Sequence, residues 1–191
     1  MNTFRKIVFI LALLPLAYVI YGILTDNLGA NPIEKMEHLT GLWALIFLMA
    51  SLSVTPLRKI SGLNKIIRLR RMLGLFVFFY ALIHFGIYLG LDRFLIWPDI
   101  KKDLTKRPYI IVGFSALLLL LPLVFTSTKK SIRRLGKKWI KLHRLVYVIA
   151  LLAVLHFWWL VKADIFYPAL FAALYLLLMA VRIYYAKSIR R

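Results

Sequence analysis

Six stretches of this chain are apolar enough and long enough to cross a bilayer, and that leaves little choice of fold. They cover approximately Ile7–Leu24, Gly41–Leu57, Met72–Leu89, Tyr109–Phe125, Leu142–Val161 and Phe166–Ala186. Each has about the 17–25 residues that a helix needs to traverse the hydrocarbon core. Lipid offers backbone N–H and C=O groups no partner, so such runs close their hydrogen bonds internally, as helices. The expected fold is all-α: a polytopic bundle of six transmembrane helices forming one domain over residues 1–191. The first run follows Arg5 and Lys6 as a signal peptide would, but it is long and no small-x-small cleavage site precedes Asp26. It reads as a retained span.

The charges predict the orientation. If the spans alternate, all seven acids fall on one side: Asp26, Glu34, Glu37, Asp92, Asp99, Asp103 and Asp164. Of the 27 Lys and Arg, seven share that side (Lys35, Arg93, Lys101, Lys102, Lys106, Arg107 and Lys162) and the other 20 lie opposite. Cytoplasmic loops carry the excess of Lys and Arg, so both termini are expected in the cytoplasm. The basic residues sit between apolar runs rather than on a soluble face, which favours membrane lipid over nucleic acid as their surroundings. Pro56 is expected to end the second span, and Pro108 and Pro168 to open the fourth and sixth. Pro15 and Pro122 lie inside spans. No internal repeat is evident.

Four histidines carry the chemistry. His84 and His156 lie deep in the third and fifth spans, 13 and 14 residues from their inner ends at about Arg71 and Leu142. At 1.5 Å per residue both stand about 20 Å in. An ionisable side chain at that depth is costly and normally faces a partner or ligand inside the bundle. Imidazole is a common axial ligand of haem iron, and two at equal depth on parallel helices suit one iron held between them. The bland alternative is a pair of interhelical hydrogen bonds. His143 precedes His156 by 13 residues, about 220° around a straight helix, and the position 13 residues before His84 is Arg71, which cannot ligate iron. One haem is therefore better supported than two. Three readings of His143 stay open: an alternative ligand, a hydrogen-bond partner for a cofactor, or an interfacial residue. His38 reads as a solvated interfacial residue, or as a contact for a haem propionate or an outer partner. Gly74, Gly86 and Gly113 are candidate points where a flat porphyrin approaches a helix backbone.

The chain has no cysteine, which excludes a disulfide framework, a cysteine-bound iron–sulfur cluster and a thiolate-ligated haem. It also lacks a G-x-G-x-x-G turn and any soluble stretch able to fold a nucleotide-binding domain. Electrons must then come from another protein or a membrane quinol. The basic loops near His143 could hold the phosphate of a flavin.

Several motifs resemble a known family: Leu52–Leu57 (LSVTPL), Arg70–Leu75 (RRMLGL), Lys106–Ile110 (KRPYI), Phe125–Thr128 (FTST), Leu135–Tyr147 (LGKKWIKLHRLVY) and His156–Asp164 (HFWWLVKAD). Across Glu37 to Asp164 they resemble MsrQ, the haem-binding membrane subunits of bacterial periplasmic methionine sulfoxide reductase systems. The resemblance implies a six-helix bundle of the ferric reductase and cytochrome b type in the bacterial inner membrane. It implies a b-type haem and flavin mononucleotide (FMN) as cofactors, with His84, His143 and His156 as the haem-associated histidines. As partners it implies the periplasmic molybdopterin subunit MsrP as acceptor and a cytosolic flavin reductase as donor. On this reading the chain transfers electrons and the sulfoxide is reduced on the partner, so there are no catalytic residues here. A stand-alone ferric or quinone reductase and a histidine-relay transporter are the alternatives. The first lacks an acidic or metal-binding cluster on the outer loops, and the second lacks intramembrane carboxylates if every acid lies in a loop.

Overall fold

In the computed structural model, which describes residues 3–188 and side chains as far as Tyr185, every regular element is a helix. These are α1 (Thr3–Leu24), α2 (Pro32–Ser61), α3 (Leu69–Ile87), α4 (Trp97–Lys106), α5 (Pro108–Phe125), α6 (Lys129–Leu135), α7 (Lys137–Leu142), α8 (Leu145–Leu160) and α9 (Phe166–Ser188). A 3-10 turn over Asn64–Arg68 leads into α3, and a π-helical turn over Tyr88–Asp92 extends it. Six helical segments among the described residues are long and apolar enough to cross a membrane. Helix α2 lies along α3 and α5 along α8; contacts of α3 with α5 and α2 with α8 close these pairs into a four-helix group. Helix α1 lies against α2 and α3, and α9 against α2 and α8. Ile10, Leu14 and Tyr21 of α1 and Leu176 and Leu177 of α9 stay exposed, as lipid-facing side chains do.

Two expectations need correction. Helix α2 does not wait for the apolar run at Gly41. Asn31 caps it by accepting from the Glu34 N–H at 3.4 Å, and Pro32 occupies the first turn, where its missing N–H is no loss. Glu34 and Glu37 therefore lie on the helix rather than in a loop. Pro56 does not end α2 either. The helix continues to Ser61 and stops at Gly62, whose φ of 71° is the left-handed cap that favours glycine. The ring of Pro56 leaves the Leu52 carbonyl, four residues back, without its helical donor. The Arg182 guanidinium of α9 donates to that carbonyl instead.

A hydroxyl from another helix also holds α1. One residue past Pro15 the Tyr80 hydroxyl of α3 reaches the α1 backbone. It donates to Ala12 O at 2.8 Å and accepts from Leu16 N–H at 3.1 Å. Tyr80 is fully buried and packs against Phe47 of α2. Helix α4 is pinned to the end of α3 through buried Asp103, which accepts from Arg93 Nε at 2.5 Å and Tyr88 OH at 3.2 Å. Tyr80→Phe removes the two buried hydrogen bonds that tie α1 to α3. It should destabilise the chain by about 1–3 kcal/mol, read as a lower midpoint of thermal unfolding in detergent. An unchanged midpoint would remove Tyr80 from this role.

Candidate cofactor site between two helix pairs

Parallel α3 and α8 bring His84 and His156 together with ring centroids 6.2 Å apart and planes at 80°. An imidazole nitrogen reaches a metal at about 2.0–2.1 Å, and each ring centre lies about 1.2 Å behind its nitrogen. Two rings on opposite sides of one ion then have centroids about 6.4 Å apart, close to the observed separation.

Each ring is oriented by backbone. His84 Nδ1 donates to Glu37 O of α2 at 2.9 Å, and His156 Nδ1 donates to Tyr109 O of α5 at 2.7 Å. A carbonyl only accepts, so both Nδ1 atoms carry the proton and both Nε2 lone pairs are left for a ligand. Metal-binding histidines are held in this way, with the second nitrogen fixing tautomer and ring angle. A glycine one turn beyond each carbonyl makes room for the ring. A Cβ built on Gly41 would lie 3.1 Å from His84 Nδ1, and one on Gly113 would lie 2.6 Å from His156 Nδ1.

The two arrangements are copies. Tyr109, Gly113 and His156 each lie 72 residues after Glu37, Gly41 and His84. An internal repeat is therefore present, contrary to the sequence reading. It rests on a carbonyl position, a glycine and a histidine among otherwise interchangeable apolar residues, and so leaves little trace in composition.

The other expected residues separate from this pair. His143 lies at the junction of α7 and α8, stacked on Trp139 with centroids 3.8 Å apart. Its Nδ1 lies 3.2 Å from Trp139 O, and its Nε2 is buried without a partner among the described residues. His38 is exposed and meets Phe157 edge-on. Gly74 and Gly86 face open space, so of the three glycines singled out only Gly113 abuts a histidine. Gly41 was missed, although a glycine 43 residues before a span histidine in both halves is the signal that would have found it.

The donor set fits a haem. Among the described residues no group of three or more His, Asp or Glu converges on a metal position, so two nitrogens would leave a bare ion under-coordinated. A porphyrin supplies the missing four nitrogens and asks of the protein two axial imidazoles on separate helices. Gly113→Ala pushes a methyl into the His156 ring, whereas the contact at Gly41 is looser. In the purified chain Gly113→Ala should therefore lose more haem, measured as reduced haem per polypeptide, than Gly41→Ala. Equal, full occupancy in both would contradict the fitted packing.

Comparison with known proteins identifies relatives over most of the chain. Residues 38–154 match the family of ferric reductase like transmembrane components. The chain is 53% identical over 167 residues to the protein-methionine-sulfoxide reductase heme-binding subunit MsrQ of Xanthomonas euvesicatoria, covering 87% of this chain and 77% of that one. It is 50% identical over 185 residues to the same subunit of Herminiimonas arsenicoxydans, covering 95% of this chain and 85% of that one. Gly41, His84, Tyr109 and Gly113 fall inside the family match, Glu37 lies one residue before it and His156 two residues after it, and the chain belongs to the MsrQ family of ferric reductase-like membrane proteins.

Proposed function

We propose that this chain is the haem-binding, electron-transferring membrane subunit of a protein-methionine-sulfoxide reductase system, with His84 and His156 as the axial ligands. The observation that carries this reading is the paired clamp: two imidazoles 6.2 Å apart, each fixed by a backbone carbonyl so that Nε2 stays available. Relatives at 50–53% identity are named as heme-binding subunits of that system, which supports the same cofactor here. A b-type haem held by His84 and His156 would supply one-electron transfer rather than a substrate position on iron.

The remaining residues take roles by position. The chain lies in the bacterial inner membrane with both termini cytoplasmic, as its 20-to-seven cation bias favours. His84 and His156 then stand nearer the periplasmic face, where a molybdopterin subunit of the MsrP kind accepts the electrons. Its oxidised methionine is restored to the thioether there. On the cytoplasmic side a flavin reductase or a quinol is the donor. The basic segment around Lys137 and Lys138 offers cations to an FMN phosphate and to an acidic donor surface. His143 has an unpartnered buried Nε2 on that side, which suits a hydrogen bond to a cofactor better than a solvated role.

His84→Ala and His156→Ala should each abolish the low-spin spectrum of the purified chain or convert it to high spin. His143→Ala should do less damage. An unchanged low-spin spectrum in either of the first two would refute the ligand pair. Lys137→Gln with Lys138→Gln should slow reduction by a cytosolic donor, and the difference from the parent chain should shrink as salt rises. A salt-independent rate would rule out electrostatic docking there.

A further inference from the structure

On the cation-rich face, away from the paired histidines, a cleft of about 390 Å³ opens between α2, α8 and α9. Its polar wall is made by Thr55 and Lys59 of α2, Tyr147 of α8, and Arg182 and Tyr185 of α9. Arg182 is only partly satisfied. One guanidinium nitrogen donates to the Leu52 carbonyl freed by Pro56, and Nη1 donates to Tyr147 OH at 3.3 Å. Its Nε is buried with no partner among the described residues, and so is Thr55 Oγ1. Lys59 Nζ lies 4.9 Å from the centre of the Tyr185 ring, and the Arg182 guanidinium lies 5.2 Å from that of Tyr147.

Two cations and two unused donors thus share one cleft with no acidic side chain in reach. All seven Asp and Glu residues of the sequence lie at the opposite ends of the helices or in the loops there. A guanidinium at membrane depth normally pairs with an acid or with backbone carbonyls, and here one carbonyl and a phenol leave it incompletely paired. The missing anion must come from outside the chain's own side chains. Met179, Val181 and Ile183 of α9 line the same cleft with apolar surface, and Ile183 is more than half exposed. An anion with an apolar tail satisfies both walls.

We propose that this cleft binds one phosphate ester, the headgroup of an anionic phospholipid, with Arg182, Lys59 and Thr55 donating to the phosphate oxygens and the acyl chain lying along α9. Basic pockets between transmembrane helices on the cytoplasmic side are the usual seats of such headgroups. A soluble phosphate monoester shares the polar half of this chemistry but not the apolar wall.

The test is native mass spectrometry of the full, haem-loaded chain in detergent, titrated in parallel arms with dioleoyl phosphatidylglycerol and with FMN. The expected result is one phosphatidylglycerol retained, with affinity about fivefold weaker for each cation removed in Lys59→Gln and Arg182→Gln. Arg182→Gln also frees the Leu52 carbonyl and can fail to fold. Lys59→Gln leaves that contact intact and keeps the test valid. FMN retained with the same dependence on both cations, in the absence of lipid binding, would keep the phosphate site and assign it to a soluble monoester. Retention of neither, or binding unchanged in the variants, would overturn the proposal.

Discussion

The structure depends on two hydrogen bonds from imidazole to a helix backbone. In a bilayer an imidazole has no water to turn to, and its orientation is set by whatever protein group it can reach. Here each Nδ1 is committed to a carbonyl on the neighbouring antiparallel helix, Glu37 O for His84 and Tyr109 O for His156. That choice is possible only because Gly41 and Gly113 let the ring lie against the helix that carries the acceptor. The pairing of α2 with α3 and of α5 with α8, the depth of the two rings and the freedom of both Nε2 atoms follow from it.

The two clamps are equivalent, and equivalence has a functional consequence. A cofactor held between them meets the same donor chemistry from both sides, on rings crossed at 80°. The structure around the clamps serves to keep them in register. Prolines in α1 and α2 break the backbone ladder. The carbonyl freed by Pro56 is taken up by the Arg182 guanidinium, and beside Pro15 the Tyr80 hydroxyl bonds Ala12 O and Leu16 N–H. Each contact ties an outer helix, α1 or α9, to the central group. An orphaned carbonyl that would be a liability in lipid becomes a specific interhelical bond.

The six spans and the pairing of His84 with His156 were legible in the sequence, since apolar length and equal depth are one-dimensional properties. What was missed depends on local or tertiary detail. Pro56 reads as a stop because its ring removes a hydrogen bond, yet Arg182, 126 residues away, supplies the substitute donor. The start of α2 was placed too late because hydropathy registers Gly41, whereas the cap at Asn31 fixes the first turn. Helix α4 is too short and polar to show as a span, and only the contacts of Asp103 with Arg93 and Tyr88 reveal what holds it. The 72-residue repeat escaped notice because one of its three elements is a backbone carbonyl, which any residue supplies.

The proposed ligation of one iron by His84 and His156 requires their rings to stay nearly perpendicular, at the observed 80°. Electron paramagnetic resonance of the oxidised, purified chain reads that angle directly. Crossed imidazole planes give a strongly anisotropic low-spin ferric signal with a single prominent low-field feature. That signal is expected from the parent chain, with its loss in His84→Ala and in His156→Ala. A rhombic low-spin spectrum of parallel rings, or a high-spin spectrum in the parent chain, would contradict the clamp geometry on which the rest is built.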